Sequence, residues 1–339
     1  MSDAHLLITE NIDVWTTAIK KRSATGRGSN KKIEFTGIKK LRELILELAV
    51  RGQLAPQDPN DEPASVLMEK IAAEKAQLIK DKKIKKPKVL PEIKDSEKPF
   101  ESPCGWKWVR LQEIINISSG DGLTSKQMNQ NGNIPVYGGN GVTGFHDEQN
   151  VKKQTLVIGR VGFYCGSIHL TPIDAWVTDN AFITTFSESN IYINYLCWLL
   201  KATNLSENDS ATAQPVISGR KVYPIIVCIP PLAEQHRIVA KVDELMALCD
   251  QLEQQTENSI TAHQTLVETL LATLSNSENP AAFNQNWTRI AEHFDTLFTT
   301  EHSIDQLKQT ILQLAVMGKL VPQNPNDEPA SVLLEKIAA

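Results

Sequence analysis

Between residues 231 and 274 the chain keeps a single hydrophobic rhythm. Ile238, Leu245, Leu252 and Leu266 fall on one seven-residue row, and Val242, Cys249 and Leu270 fall on a second row three to four positions away. Pro230 and Pro231 close the strand-like run YPIIVCI, and no further Gly or Pro appears until Pro280. This pattern predicts one long helix with a narrow seam, about 43 residues and about 65 Å at 1.5 Å per residue. So narrow a seam needs a cover. Two covers fit: a partner helix, which would make these seven residues a coiled-coil and dimer seam, or the helix's own domain. At Thr256, Ser259 and His263 the lattice turns polar, a break that weakens packing and can fix register.

Elsewhere the rhythm changes, and the elements with it. Residues 38–54 predict an amphipathic helix with Leu41, Leu44, Ile45 and Leu48 on one face and Gly52 at its stop. Pro56 and Pro59 mark a turn, residues 64–80 a second helix, and the lysine-rich stretch after it, ending in prolines, a linker into the next domain. In residues 103–231 the periodicity becomes that of a mixed, β-rich globule. Trp106, Trp108, Val109, Leu111 and Ile114 anchor its start, and strands are predicted at 134–137, 155–161, 175–178, 182–186 and 223–229. Asn190 is placed to cap a helix that runs to Ala202. The helix–turn–helix of residues 41–73 then returns, without a gap, at 307–339 with roughly three quarters of its positions identical. The repeat says that one unit is complete and a second has begun. The expected class is α+β, divided as a helical region and linker (1–102), a domain (103–231), the long helix (232–276) and a second helical region (277–339).

Charge sharpens this division. The net charge of −5 is unevenly spread: residues 1–100 carry about +5, 101–231 about −1 and 232–339 about −9. Any affinity for nucleic acid must therefore be local. Lys20, Lys21, Arg22, Arg27, Lys31 and Lys32, in a Gly/Ser-rich stretch that follows a short helix predicted near 14–19, read either as phosphate contacts or as a solvated loop. Five cysteines without a C-x-x-C pair point to buried thiols in the reducing cytoplasm, and no apolar run is long enough to span a bilayer.

The chemistry of a catalyst is thin. Gly139, Gly141 and Gly144 spell G-x-G-x-x-G, but no helical period follows and another strand comes too soon for a dinucleotide turn. His146 with Asp147 and Glu148, and His169 with Asp174, lack helical ligand spacing and a third ligand. Glu92 and Lys94 form an E-x-K only in the linker. No metal site, catalytic residue or cofactor is expected on this chain. Residue types suited to DNA gather instead in the loops of 103–231: Lys126, Gln127, Asn129, Tyr137, Asn140, Arg160, Tyr164, Asn180, Gln214, Ser218, Arg220 and Lys221. Arg and Lys suit guanine, Asn and Gln adenine, Tyr and Ser the backbone.

Several segments together carry a family likeness. PPLAEQHRIVAKVDELMALCDQLE after a β-rich domain, PCGWKWVRL, PVYGGNGVTGF, TLVIGRVGFYCGSIHLTPIDAWVTDNAF and the pair LAVRGQLAPQDPNDEPAS / LAVMGKLVPQNPNDEPAS resemble the DNA-specificity subunit of type I restriction-modification systems. The repeated PNDEPAS is similar to the IB branch in particular. The resemblance implies a non-catalytic, cytoplasmic subunit in which 103–231 is a target-recognition domain on double-stranded DNA and 232–276 a conserved spacer helix. It also implies two methylating subunits that carry S-adenosylmethionine, and restriction subunits that use ATP and Mg. A full subunit of that family has two recognition domains and this chain shows one. It is expected to be a fragment, or a half-subunit whose seam self-associates into a homodimer reading an inverted repeat. The competing reading is a coiled-coil adaptor that assembles proteins without reading DNA.

Overall fold

The computed structural model describes residues 10–21, 33–162, 164–205, 216–321, 324 and 326–338. It divides the chain into two compact units, Met1–Gln251 and Leu252–Ala339. The first unit opens with α1 (Ile12–Thr17), the antiparallel pair β1 (Lys20–Lys21) and β2 (Ile33–Glu34), and the helices α2 (Thr36–Val50) and α3 (Ala64–Lys80). The basic side chains at positions 22, 27, 31 and 32 lie outside the described residues. α2 stops short of its predicted end because Gly52 takes φ +69 and the Gln53 N–H donates back to the Leu48 carbonyl at 2.9 Å. Its buried row is Ile38, Leu41, Ile45 and Ala49, whereas Leu44 and Leu48 are half-buried. The lysine-rich stretch is better fixed than a linker. Gln112 Nε2 donates to the Lys88 carbonyl at 2.7 Å and Arg110 Nε to that of Pro91 at 2.9 Å.

Next come β3 (Lys107–Arg110), α4 (Leu111–Ile114), β4 (Ile115–Ser119), β5 (Ile134–Gly138), β6 (Gly141–His146), β7 (Leu156–Gly159) and β8 (Ile168–Leu170). They are followed by β9 (Trp176–Val177), β10 (Ala181–Phe186), α5 (Ile193–Ala202), α6 (Gly219–Val222) and β11 (Ile226–Ile229). β3 and β11 pair antiparallel, Lys107 opposite Ile229, so the domain begins and ends on one two-stranded stem. Beyond it lie an antiparallel sheet in the order β4-β10-β7-β8 and a smaller one in the order β6-β5-β9, with β5 and β9 parallel. A strand, β6, starts inside the G-x-G-x-x-G, which removes the dinucleotide reading. α5 starts after Tyr192, and Asn190 bonds Ser187 and Ser189 in place of the helix start it was expected to cap.

The long helix is unbroken: α7 runs Leu232–Ser275. In the first unit its side chains are tied to their own chain. Glu234 meets Trp106, Asp243 meets Trp198 Nε1 at 2.9 Å, Arg237 meets Asp61, and Arg42 donates to the Met246 carbonyl and to Asp250. Ile238, Val242, Leu245, Cys249 and Leu252 are all buried within the single chain. Those five positions are covered by this chain's own side chains. The later positions depart from the lattice: Leu266 is 50% exposed, Leu270 is partly buried, and the buried row is Val267, Leu271 and Leu274. At about 100° per residue, residue 266 lies about 80° off residue 238 and residue 267 only about 20° off, so the buried positions keep the 3.6-residue period of an α-helix better than a seven-residue lattice.

In the second unit, Val267, Leu271 and Leu274 pack with residues of α8 (Pro280–Glu292), α9 (Phe294–Leu297) and α10 (Glu301–Val316), and α11 (Ala330–Ala338) follows. Asn279 and Thr300 cap α8 and α10 through Ala282 N–H and Ser303 N–H. The repeat reproduces local geometry closely: Gly318 takes φ +67, and Lys319 N–H donates to the Leu314 carbonyl at 2.9 Å, as at Gly52 and Gln53. Burial differs. Leu67, Met68 and Ile71 are buried, while their repeats Leu333, Leu334 and Ile337 are 56%, 66% and 73% exposed.

Candidate nucleic-acid interface

The register of the two sheets brings five loops to one rim. β4 ends, β7 ends and β10 begins side by side, with Phe182 opposite Ser119 and Ala181 opposite Gly159. β5 and β9 run parallel and end together, Tyr137 beside Val177, and residues 178–180 turn directly into β10. Loops 120–122, 139–140, 160–166, 178–180 and 216–221 are then stitched across the strand ends. Asp121 bridges to Thr178 and Val161 to Val216. Arg160 N–H donates to the Asn180 carbonyl, Ile217 N–H to the Arg160 carbonyl and Ser167 Oγ to the Gly139 carbonyl, each at 2.9 Å. Glycine is required where these loops touch. A Cβ on Gly139 would stand 2.5 Å from the Val161 carbonyl oxygen, and one on Gly159 2.2 Å from that of Gly139.

Arg160 sits at the centre of this rim. Its guanidinium carbon lies 5.3 Å from the centre of the Phe182 ring, and its polar contacts are long: Nη1 is 3.5 Å from Ser119 Oγ and 3.4 Å from the Asp179 carbonyl. Its Nε is buried without a hydrogen-bond partner. The fork is aimed but not saturated, which is the state in which it can take the paired acceptors of a guanine edge. Asn140, Tyr164, Asn180 and Arg220 are exposed around it, Ser218 precedes α6, and Lys221 Nζ reaches the Val216 carbonyl at 3.1 Å. Val142 and Val216, 51% and 39% exposed, add apolar contact of the kind that meets a thymine methyl. The carboxylates of Asp121 and Asp179 share the rim, so its charge is mixed and its grip is polar.

The other proposed contacts fall elsewhere. Tyr137 is 9% exposed and packs with Val151, Val157, Ala175, Val177 and Ala181, so it belongs to the core; burial raises its phenol above the usual range. Lys126 and Gln127 lie in the turn before β5. There Gln127 Oε1 accepts from Thr124 N–H and Oγ1, and the neighbouring Asn129 is bonded to the Phe145 carbonyl and to Asp147. That turn is anchored at the far end of β6, away from the rim. Gln214 lies outside the described residues. Of the histidines, His146 packs edge-on against Trp176. His169 bonds Ser167 Oγ at 3.0 Å, and burial, with Lys201 second, holds its pKa below the ordinary value. Among the described residues no group of three His, Cys, Asp or Glu is placed to hold a metal, and no helix is long and apolar enough to cross a membrane. Sequence reading missed Ser119, Asp121, Asp179 and Val142; the glycines at 120, 139 and 159 were the available sign that these loops meet.

Residues 103–262 match the family described as type I restriction modification DNA specificity domain. The chain is 46% identical over 357 aligned positions to the type I restriction enzyme EcoAI specificity subunit of Escherichia coli, covering 98% of this chain and 60% of that protein. Identity is also 46% to the Escherichia coli EcoEI specificity subunit, with the same coverage. The chain thus spans about 60% of the length of these curated relatives. Among solved structures, a type I restriction-modification S subunit from M. genitalium aligns with 78% of this chain and 59% of its own, at 17% identity and a TM-score of 0.38. A chain from a structure of type I R-M complex assembly aligns at 19% identity and a TM-score of 0.42, covering 77% of this chain and 67% of that one.

Proposed function

We propose that this chain, whose residues 103–262 match the type I restriction modification DNA specificity domain, belongs to that family and is a non-catalytic reader of duplex DNA whose rim recognises one half of a bipartite target. On this reading the helical regions at 1–80 and 277–339 seat methylating subunits, which supply the S-adenosylmethionine chemistry, and the assembly serves restriction subunits as well. The observation that carries the reading is the rim itself. Asn140, Arg160, Tyr164, Asn180, Ser218 and Arg220 lie on loops at one end of the sheets, around a guanidinium that rests on the Phe182 ring and whose donors are under-used.

The test is a selection of bound duplexes from a random pool, followed by titration of the selected and random duplexes. Arg160→Ala is expected to weaken the selected duplex by about 1–3 kcal/mol, roughly tenfold or more, and to relax choice at one position while leaving random duplex nearly unchanged. Arg160→Lys should not restore that choice, because an ammonium lacks the planar fork. Equal losses on both duplexes would remove Arg160 from base reading. A pool that yields no preferred sequence would remove the reading altogether.

A further inference from the structure

The segment KDKKIKKPK, residues 80–88, holds six lysines and one acid in a chain whose net charge is −5. Five of them, Lys82, Lys83, Lys85, Lys86 and Lys88, are exposed, and among the described residues none makes an ion pair or a side-chain hydrogen bond. Asp81 accepts from Gln77 Nε2 at 2.8 Å, and Glu92 lies beyond the far end. So many cations held together repel one another. Together they set up a positive field that attracts an anion the chain itself does not provide.

Three features show that the lysines are presented and not simply solvated. The segment is pinned from behind by Gln112 on the Lys88 carbonyl and Arg110 on the Pro91 carbonyl, and Pro87 and Pro91 keep it extended. At its start Lys82 takes φ +58, the one non-glycine residue with positive φ among the described residues. The equivalent place after α2 and α10 is held by Gly52 and Gly318. A lysine is conformationally unfavourable there, and the chain uses one all the same. Thirdly, Lys83, Lys85 and Lys86 line one wall of a cleft of about 500 Å³ whose other wall is Ile117 and Ser118 of β4 and the Tyr223 ring. β4 is an edge strand that runs straight from this cleft to Ser119 and Arg160 on the rim, and Tyr223 follows α6 with Arg220 and Lys221.

We propose that Lys82, Lys83, Lys85, Lys86 and Lys88 form a strip that grips the phosphate backbone of duplex DNA to one side of the bases met at the rim. This rests on the DNA-reading function proposed above. β4 joins the two: the cleft that the lysines line extends along it as far as Ser118, one residue before Ser119 on the rim, so the strip lies on the flank of the base-reading loops. Lysine suits the task, since a phosphate needs a point charge and reach and not a planar fork. The strip adds affinity for any sequence and leaves choice to the rim.

The test compares the full chain with the triple variant Lys83→Gln, Lys85→Gln, Lys86→Gln and with its Lys→Arg counterpart. Fluorescence anisotropy would be read on a selected and a random duplex from 50 to 200 mM salt. Removing three phosphate contacts is expected to flatten the slope of log K against log salt by about 2.7 on both duplexes, with their affinity ratio unchanged. The arginine variant should keep the wild-type slope, and a hydroxyl-radical footprint should shorten on one side only in the glutamine variant. Because all three side chains are exposed, single substitutions, each expected to flatten the slope by about 0.9, serve if the triple variant folds poorly. An unchanged slope in a selective wild-type background overturns the strip alone, whereas a wild-type chain without selectivity overturns the function beneath it. A variant that kept its DNA slope but lost a methylating partner would assign the lysines to an acidic protein surface. A fall in the affinity ratio would make them part of the base-reading site.

Discussion

Replacing Arg110 by alanine is expected to lower the free energy of unfolding by about 3–5 kcal/mol and to open the 82–98 segment to proteolysis. The side chain is 7% exposed and fans its nitrogens to three acceptors: Nε to the Pro91 carbonyl at 2.9 Å, Nη1 to that of Pro224 at 2.8 Å and Nη2 to Glu97 Oε1 at 3.1 Å. Two of these belong to the chain before the domain and one to the turn leading into β11, so a single group fastens the lysine-rich segment to the stem. Alanine removes three hydrogen bonds from a charged group, each contributing about 1.5–3 kcal/mol, and because Pro91 and Glu97 are exposed the losses fall at the low end of that range. Lysine should recover little, since one ammonium cannot reach three directions at once. Urea titration measures the loss, and limited trypsin digestion at Lys83–Lys88 reports whether the segment has come free. A change below about 1 kcal/mol would mean that the stem holds the segment by other contacts. The variant also bears on DNA. With the strip unfastened and the rim intact, affinity for random duplex should fall more than the preference between sequences.

How much of this was legible beforehand follows from where each element sits in its sheet. IPVY, LVIG and AFITTF were read as strands because β5, β7 and β10 lie inside their sheets and carry apolar residues almost continuously. Among the strands that escaped, β4, β6 and β8 are sheet edges and β1, β2 and β3 belong to two-stranded pairs, whereas β9 and β11, though also edges, were read because their segments are largely apolar. An edge strand needs only one buried face, so INISS and GVTGFH look like loops in the sequence. α7 was legible from its prolines and its unbroken run, but its cover was not. A heptad lattice records that a face is buried without saying by what, and only tertiary contact shows Glu234, Arg237 and Asp243 committed to Trp106, Asp61 and Trp198. At the rim, residue type was a fair guide to chemistry and a poor guide to place. Tyr137 and Asn140 are three positions apart, yet one is core and the other solvent, because the strand ends between them at Gly138.

Glu234→Gln is expected to abolish a fall in stability of about 3 kcal/mol that the native chain undergoes between pH 4.5 and pH 7. Glu234 lies in the first turn of α7 and is 1% exposed; Oε2 accepts the Trp106 Nε1 hydrogen at 2.9 Å, and Oε1 is buried with no partner. Burial pushes its pKa up to about 7 from an ordinary 4.5, and outweighs the Trp106 hydrogen bond and the Arg237 charge, which pull it down. Between those two values the folded chain holds a proton that the unfolded chain has already released. The contribution of Glu234 to stability is therefore greatest below pH 4.5, declines as pH rises through the window, and is lost once the folded carboxyl ionises above about 7. Glutamine reproduces the neutral form at every pH. It offers the same acceptor to Trp106, so the variant should match the native chain near pH 4.5 and exceed it at pH 8. Urea midpoints for both chains at half-unit intervals isolate this one group, since every other titration is common to the two. Parallel curves would mean that the carboxyl ionises as readily there as in water, and that the junction of stem and long helix accommodates a charge.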